Sequence, residues 1–299
     1  MSYIDQTFGD QYADGQGPFG ENSPSLFSSI IIGLSRHTLL GRGKARKLLG
    51  KILALNNQEI FDVSVWGTSV RLFPGTNICD YKLLMCPNQY NHKELKFLKS
   101  HLTRDNANFI DIGANSGAFS LYLAAKSNVK FNIFAFEPNP PMIQRIKQKF
   151  FHHLNSELLS KCKFYLFPFA LGESEDKLVL ISPEGNFGEA YISDEQIQSS
   201  SIKKPNSKIE VDVKVLTKVL EEQGVEQIDA LKIDIEGYED KVVKSLFENA
   251  ASSLLPRALL IEHVSKDLWS YDCITEAKKL GYKVVFETRL NTAMLREQR

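Results

Sequence analysis

From residue 108 onward the chain alternates short, almost continuously apolar segments with segments of helical period, and that alternation restricts it to one architecture. NFIDIG (108–113), FNIFAFE (131–137), KFYLFPFAL (163–171), IDALKIDIE (228–236), RALLIEH (257–263) and YKVVFE (282–287) read as strands. Helices are predicted over 117–126, from Pro140 behind an Asn139 cap, from Tyr238, and over 273–280. Met142, Ile143, Ile146 and Phe150 share one face of the second of these helices; Tyr238, Val242, Val243, Leu246 and Phe247 share one face of the third. Strands apolar on both faces, each followed by a helix, make an α/β, doubly wound, mostly parallel sheet. Ligands in such sheets bind beyond the carboxyl ends of the strands, so the residues at those ends carry the information about function.

The first hundred residues have a different texture. Residues 1–25 are polar and rich in Gly, Asn, Ser and Asp, and read as a mobile leader. An apolar run follows at 26–34. Residues 35–55 then hold Arg36, Arg42, Lys44, Arg46, Lys47 and Lys51 and no acid, with Leu48, Leu49, Ile52 and Leu55 at helical spacing. This predicts a basic amphipathic helix. Two readings stand side by side: peripheral docking on an anionic membrane surface or polyanion, or a helix packed on the main domain with its charges in water. Residues 58–73 alternate apolar and polar, which predicts a hairpin turning near Gly67-Thr68. The expected organisation is a leader (1–25), an N-terminal extension of basic helix, hairpin and helix (26–100), and the cofactor-binding domain (101–299). Residues 193–207 read as a surface loop.

Lys plus Arg and Asp plus Glu each number 36, so the chain is formally neutral. Neutrality argues against broad nucleic-acid binding, which depends on many basic contacts to phosphate. Cys79, Cys86, Cys162 and Cys273 form no C-x-x-C pair, so neither a zinc site nor a disulfide framework is expected, and a reducing, cytoplasmic setting is. No apolar run reaches the ~18 residues of a membrane span. Asp5, Asp10, Asp14 and Glu21, without a basic residue among them, are the opposite of a secretory signal.

The first strand of the α/β region ends in Asp111-Ile112-Gly113-Ala114-Asn115-Ser116-Gly117. The two glycines permit a sharp turn and close approach of a ligand to backbone, and the following helix points free N–H groups at it. The second strand ends in Glu137, placed to accept from both hydroxyls of a ribose. The glycine spacing is G-x-x-x-G, with Asn115 where a dinucleotide fingerprint has its middle glycine. A nucleoside without phosphates fits better than a dinucleotide, and S-adenosylmethionine is such a ligand.

Phe109-Ile-Asp-Ile-Gly-Ala-Asn-Ser-Gly117, Phe134-Ala-Phe-Glu-Pro138 and Leu231-Lys-Ile-Asp-Ile-Glu-Gly-Tyr-Glu239, in this order, resemble the FkbM-type methyltransferase family over roughly residues 80–290. The resemblance implies a Rossmann-like, class I methyltransferase fold of seven strands and dependence on S-adenosylmethionine. It implies that Asp111, Gly113, Asn115 and Gly117 form the methionine-binding loop and that Glu137, followed by Pro138, holds the ribose. Phe169 and Ala170 would lie beside the adenine, with Asp234 and Glu236 facing the transferred methyl group. Glu262-His263 resembles a further acidic or histidine pair. The family's Leu-Asp is Leu216-Thr217 here, and position 116 is Ser rather than aliphatic.

Many relatives methylate sugar hydroxyls, so the expected reaction is O-methylation of a sugar, polysaccharide, glycolipid or related metabolite. A hydroxyl is a weak nucleophile at neutral pH and a general base helps. His263 is the first candidate because its unperturbed pKa lies near neutrality. Asp234 and Glu236 could take the proton or orient the acceptor. No metal is expected, although Asp234, Glu236, Glu262 and His263 could converge on a cation. Region 74–100, with Asp80, Tyr81 and Tyr90, and loop 184–207 are expected to shape the pocket for a carbohydrate or small-molecule acceptor. The alternatives are a non-catalytic binding module of this fold and a nicotinamide-dependent oxidoreductase, the latter disfavoured by the missing G-x-G-x-x-G.

Overall fold

The computed structural model describes residues 17–152, 156–183, 185–192 and 205–297. In chain order the extension comprises α1 (Leu26–His37), α2 (Gly43–Ala54), a hairpin of β1 (Phe61–Val65) and β2 (Thr68–Leu72), α3 (Ile78–Met85) and α4 (His92–His101). The α/β region follows with β3 (Ala107–Ile112), α5 (Ala118–Lys126), β4 (Phe131–Phe136), α6 (Pro140–Lys147), α7 (Ser156–Lys161) and β5 (Cys162–Phe167). Then come β6 (Ala170–Leu171), β7 (Asp176–Pro183), β8 (Tyr191–Ile192), β9 (Pro205–Lys214), α8 (Leu216–Glu222), β10 (Ala230–Ile233) and α9 (Glu239–Asn249). The last elements are β11 (Ala258–Glu262), α10 (Cys273–Lys279), β12 (Tyr282–Glu287) and β13 (Asn291–Arg296).

Seven strands form one sheet in the order β12-β13-β11-β10-β3-β4-β5. Neighbours from β11 through β5 are parallel, and β13 alone runs against them. This is the doubly wound, Rossmann-like architecture expected. The chain winds outward one way through β3, β4 and β5 and the other way through β10 and β11, so the order reverses between β3 and β10, where a crevice opens. Alternate residues of the strands feed two apolar layers. Phe109, Phe131 and Ile133 point into one with α5 and the extension; Ile110, Ile112, Phe134 and Phe136 point into the other with α8, α9 and α10.

Several expectations shift. The strand 163–171 is two: Pro168 offers no N–H to a ladder, β5 ends at Phe167, and β6 joins a separate four-stranded sheet, β6-β9-β7-β8. Residues 205–207, read as loop, belong to β9; the rest of that expected loop, 193–204, lies outside the described residues. β13 was not anticipated. The hairpin turns at Trp66-Gly67, one residue earlier than expected, with positive φ at both (56° and 92°), as a tight hairpin turn requires.

The basic helix over 35–55 is broken at Thr38–Arg42 into the end of α1, a 3-10 turn and α2. Its apolar face is Leu49 and Leu53; Leu48 and Leu55 face outward. Most of the leader lies outside the described residues. Its last part is tied down: the fully buried Asp62–Arg71 ion pair (2.7 Å) accepts from Gly20 and Asn22 N–H through Asp62, and donates from Arg71 to the carbonyls of Gly17 and Pro18.

Candidate active site

A cavity of about 300 Å³ opens at the carboxyl ends of β3, β4, β10 and β11, at the reversal of strand order. Gly113, Asn115, Glu137, Pro138, Phe169 and Ala170 line it, as do Asp234, Glu236 and Glu262. The extension contributes Cys79, Lys82 and Tyr90, and the turn before β8 contributes Phe187 and Gly188. Tyr90 therefore lines the cavity as expected of it, whereas Asp80 and Tyr81 do not.

The turn after β3 is shaped by what its glycines must avoid. Gly113 has φ of +70°, and a Cβ there would collide with the carbonyl oxygen of Asp234. Asn115 is also left-handed, with φ of 55°. Its side chain closes the turn: Oδ1 accepts from Ser116 N–H (2.7 Å) and from Asn77 of the extension (2.6 Å), while Nδ2 donates to the Gly188 carbonyl (3.0 Å). Beneath it, buried Asp80 accepts from Ser116 Oγ (2.7 Å) and from buried Lys149 (3.0 Å), and Lys149 also donates to the Ser116 carbonyl (2.9 Å). The extension thus clamps the turn from below.

Two predicted loop residues stand behind the cavity rather than on it. Gly117 starts α5 with φ of +78°, and a Cβ would press on Ile146 and Phe150 at 3.3 Å. Asp111 is fully buried and accepts from Ser120 Oγ (2.6 Å). Burial raises its pKa, opposed by the nearby Lys232 ammonium.

Glu137 lines the cavity with its carboxylate steered by two backbone donors, Asn115 N–H (2.7 Å) and Asn139 N–H (2.9 Å). Burial nevertheless pushes its pKa up to about 7, the two amides pulling the other way. Each oxygen keeps a lone pair for a further donor such as a ribose hydroxyl.

In the same cavity, carboxylate oxygens of Asp234, Glu236 and Glu262 come within 4.8 Å of one another. Burial, then the Asp234 charge, push Glu236 to about 8; the same causes, with Glu236 added, push Glu262 to about 10. Glu262 Oε2 is buried without a hydrogen-bond partner. Glu236 has φ of 56°, a strained conformation for a non-glycine residue, and Glu239 over-determines it by accepting from the N–H groups of Ile235 (2.8 Å) and Gly237 (3.1 Å) and from Trp269 Nε1 (2.9 Å). A divalent cation would find three oxygen ligands here.

His263 does not line the cavity. Side chains alternate along a strand, so with Glu262 facing inward His263 turns to β13, its Nδ1 2.7 Å from Thr292 Oγ1. Sequence reasoning also passed over Lys232, which is buried between the two acidic strand ends. Its ammonium donates to the carbonyls of Ile112 (3.1 Å) and Gly113 (2.6 Å) and lies 3.8 Å from Asp234 Oδ2. Burial works against this charge, but the Asp234 and Asp111 carboxylates outweigh it and raise its pKa. A lysine inside an otherwise apolar strand, Ala230-Leu-Lys-Ile233, was the available signal.

The residues present suit a nucleoside carrying a cationic amino-acid arm. Glu137 offers ribose-type acceptors, and Phe169 presents an apolar face. The same cavity is lined by the acidic side chains of Asp234, Glu236 and Glu262, and Glu262 keeps a buried oxygen without a partner.

A family model described as the methyltransferase FkbM domain matches residues 111–280. No curated protein matches the chain. Among solved structures, it is similar to the methyltransferase FkbM of Methylobacillus flagellatus KT (15% identity, 83% of this chain, TM-score 0.43), of whose length it spans 59%. It is also similar to the METTL16 MTase domain (14% identity, 96% of this chain and 94% of that one, TM-score 0.44). A third likeness is to M. jannaschii TYW2 in complex with AdoMet (14% identity, 80% and 87% covered, TM-score 0.38). With more than half its length matched by the family model, the chain belongs to the FkbM methyltransferase family, whose cofactor is S-adenosylmethionine.

Proposed function

We propose that this protein transfers a methyl group from S-adenosylmethionine to a hydroxyl oxygen of a sugar or a related glycosylated metabolite. The observation that carries the reading is the convergence of three carboxyl groups on the cavity that Glu137 also lines. The bound cofactor supplies an electrophilic methyl group for an in-line displacement. The chain's own residues would do the rest. Glu137 holds ribose hydroxyls, the Gly113–Asn115 backbone cradles the amino-acid arm, and Phe169 and Ala170 flank the base. Glu236 and Glu262 orient the acceptor's oxygens by hydrogen bonding. Asp234 takes the hydroxyl proton, with the Lys232 charge 3.8 Å away on its side of the cluster. Positioning of this kind supplies much of the rate, and a general base adds about 10²–10⁴-fold.

Incubating the protein with methyl-labelled S-adenosylmethionine and a panel of hydroxylated glycans and glycosides tests this. Label should appear in an acid-stable methyl ether, and Asp234→Asn should slow transfer at least 100-fold while binding S-adenosylhomocysteine normally. Label carried on nitrogen or on a carboxyl group would replace the hydroxyl reading, and full activity of Asp234→Asn would remove the base assignment.

A further inference from the structure

Helices α1 and α2 leave a surface that the methyltransferase site does not use. Their inner faces, Ile31 and Ile32 on one and Leu49 and Leu53 on the other, enter the same core. They are joined as an antiparallel pair, Asn56 at the end of α2 donating to Ser25 and Ser28 at the start of α1 (3.1 and 2.9 Å). Both rest on α3: Ser35 and Arg36 bond the carbonyls of Met85 and Leu84, and Tyr81 bonds the carbonyl of Arg46. The opposite faces therefore look outward together. On α1 that face is Leu26, Phe27 and Ile30, at 81%, 45% and 54% exposure. On α2 it is Lys44, Lys47, Leu48, Lys51 and Leu55, with both leucines at 60% or more. At 100° per residue each set falls on one side of its helix.

We propose that this face docks on an anionic lipid bilayer, the apolar side chains entering the headgroup boundary and the lysines meeting lipid phosphates. Between Asn22 and Gln58 there is no acidic residue, although the whole chain is neutral. Arg36 and Arg46 turn inward to Leu84 O and Cys86 Sγ, and Arg42, Lys44, Lys47 and Lys51 stay exposed. Lysine interleaved with leucine beside an apolar stripe is the pattern of helices that lie in a membrane interface. A soluble polyanion would use the lysines and leave the leucines in water. A second copy seated symmetrically would offer the lysines no acidic partner from the same face.

Co-sedimentation of the full chain with vesicles of phosphatidylcholine alone, and of phosphatidylcholine mixed with phosphatidylglycerol, tests the proposal. Two variants accompany it: Lys44→Glu/Lys47→Glu/Lys51→Glu, and Leu26→Ser/Phe27→Ser/Ile30→Ser. Leu48→Gln/Leu55→Gln replaces the second if its thermal transition shows misfolding. The expected result is binding to the mixed vesicles, weakened roughly 100-fold by the lysine variant and at least about 10-fold by the apolar one. Absence of wild-type binding to the mixed vesicles overturns the proposal. So does an apolar variant that binds as well as wild type, which would point to a polyanion. A solution mass that falls from dimer to monomer in the apolar variant, without any effect of vesicles, would assign the face to self-association and also overturn it.

Discussion

Lys232 and Asp111 hold the two central strand ends together: the ammonium lies 3.6 Å from Asp111 Oδ1, and both side chains are buried. Lys232→Met leaves the acids Asp111 and Asp234 without that counter-charge. Removing one partner of a buried pair costs about 3–5 kcal/mol, so the urea midpoint should fall steeply. A loss under about 1 kcal/mol would show that the lysine is not needed to stabilise these acids.

Glu137→Ala removes the acceptor proposed for the ribose and frees the N–H groups of Asn115 and Asn139. Titration calorimetry with S-adenosylhomocysteine should show affinity lower by about 1–3 kcal/mol, the worth of charged hydrogen bonds. Unchanged affinity would move the ribose elsewhere in the cavity.

The ligand-free protein should lose stability as pH rises. Glu137, Glu236 and Glu262 hold their protons to about 7, 8 and 10, against 4.5 for an ordinary glutamate. The folded state then binds more protons than the unfolded state above about pH 4.5, so this contribution is fully present below that value and is lost as pH climbs through 7 to 10. Denaturant midpoints should be higher at pH 6 than at pH 8.5, and Glu236→Gln should flatten the slope. A rise across the same interval would contradict the burial of these groups.

The same carboxyls should distinguish the substrate from the product. A sulfonium near Glu236 and Glu262 favours their ionised forms, so binding S-adenosylmethionine should expel protons and tighten from pH 7 to 9. S-adenosylhomocysteine, neutral at sulfur but sharing the ribose that ionises Glu137, should release fewer protons and tighten less. Calorimetry in two buffers of different ionisation enthalpy reads the protons directly. Equal release by both ligands would separate the acid cluster from the sulfur.

Asn77 touches the proposed cofactor turn without lining the cavity. Its Nδ2 donates to Asn115 Oδ1 at 2.6 Å and its Oδ1 caps α3 through Asp80 N–H at 3.0 Å. Asn77→Ala should lower S-adenosylhomocysteine affinity several-fold, and the cap should cost stability of about 0.5–2 kcal/mol. Wild-type affinity in a folded variant would make the clamp purely structural.

The strand ends were legible because a parallel strand buried on both faces is apolar until it stops, which is why Asp111, Glu137, Asp234 and Glu262 stood out. Choosing between Glu262 and His263 needed the phase of the strand, and a step of one residue reverses the side a side chain faces. Asn77, and the place of Asp80 beneath the turn rather than on the pocket, escaped because their partners, Asn115 and Ser116, lie 38 and 36 residues away, beyond any local pattern. β7 and β9 pair across an intervening segment for the same reason. β13 is short and mixed in polarity, and nothing local distinguishes it from a tail.

β12 pairs with nothing in the main sheet except β13, and β13 follows it in the chain while sitting between it and β11. A ribosome therefore releases β12 before its only ladder partner among the described residues exists. The edge of β11 stays open, and the Glu262 end of the cavity unsupported, until residues 291–296 emerge. Synthesis halted between 287 and 291 would strand two edges at once, β11 and β12, and leave both open to pairing with other chains.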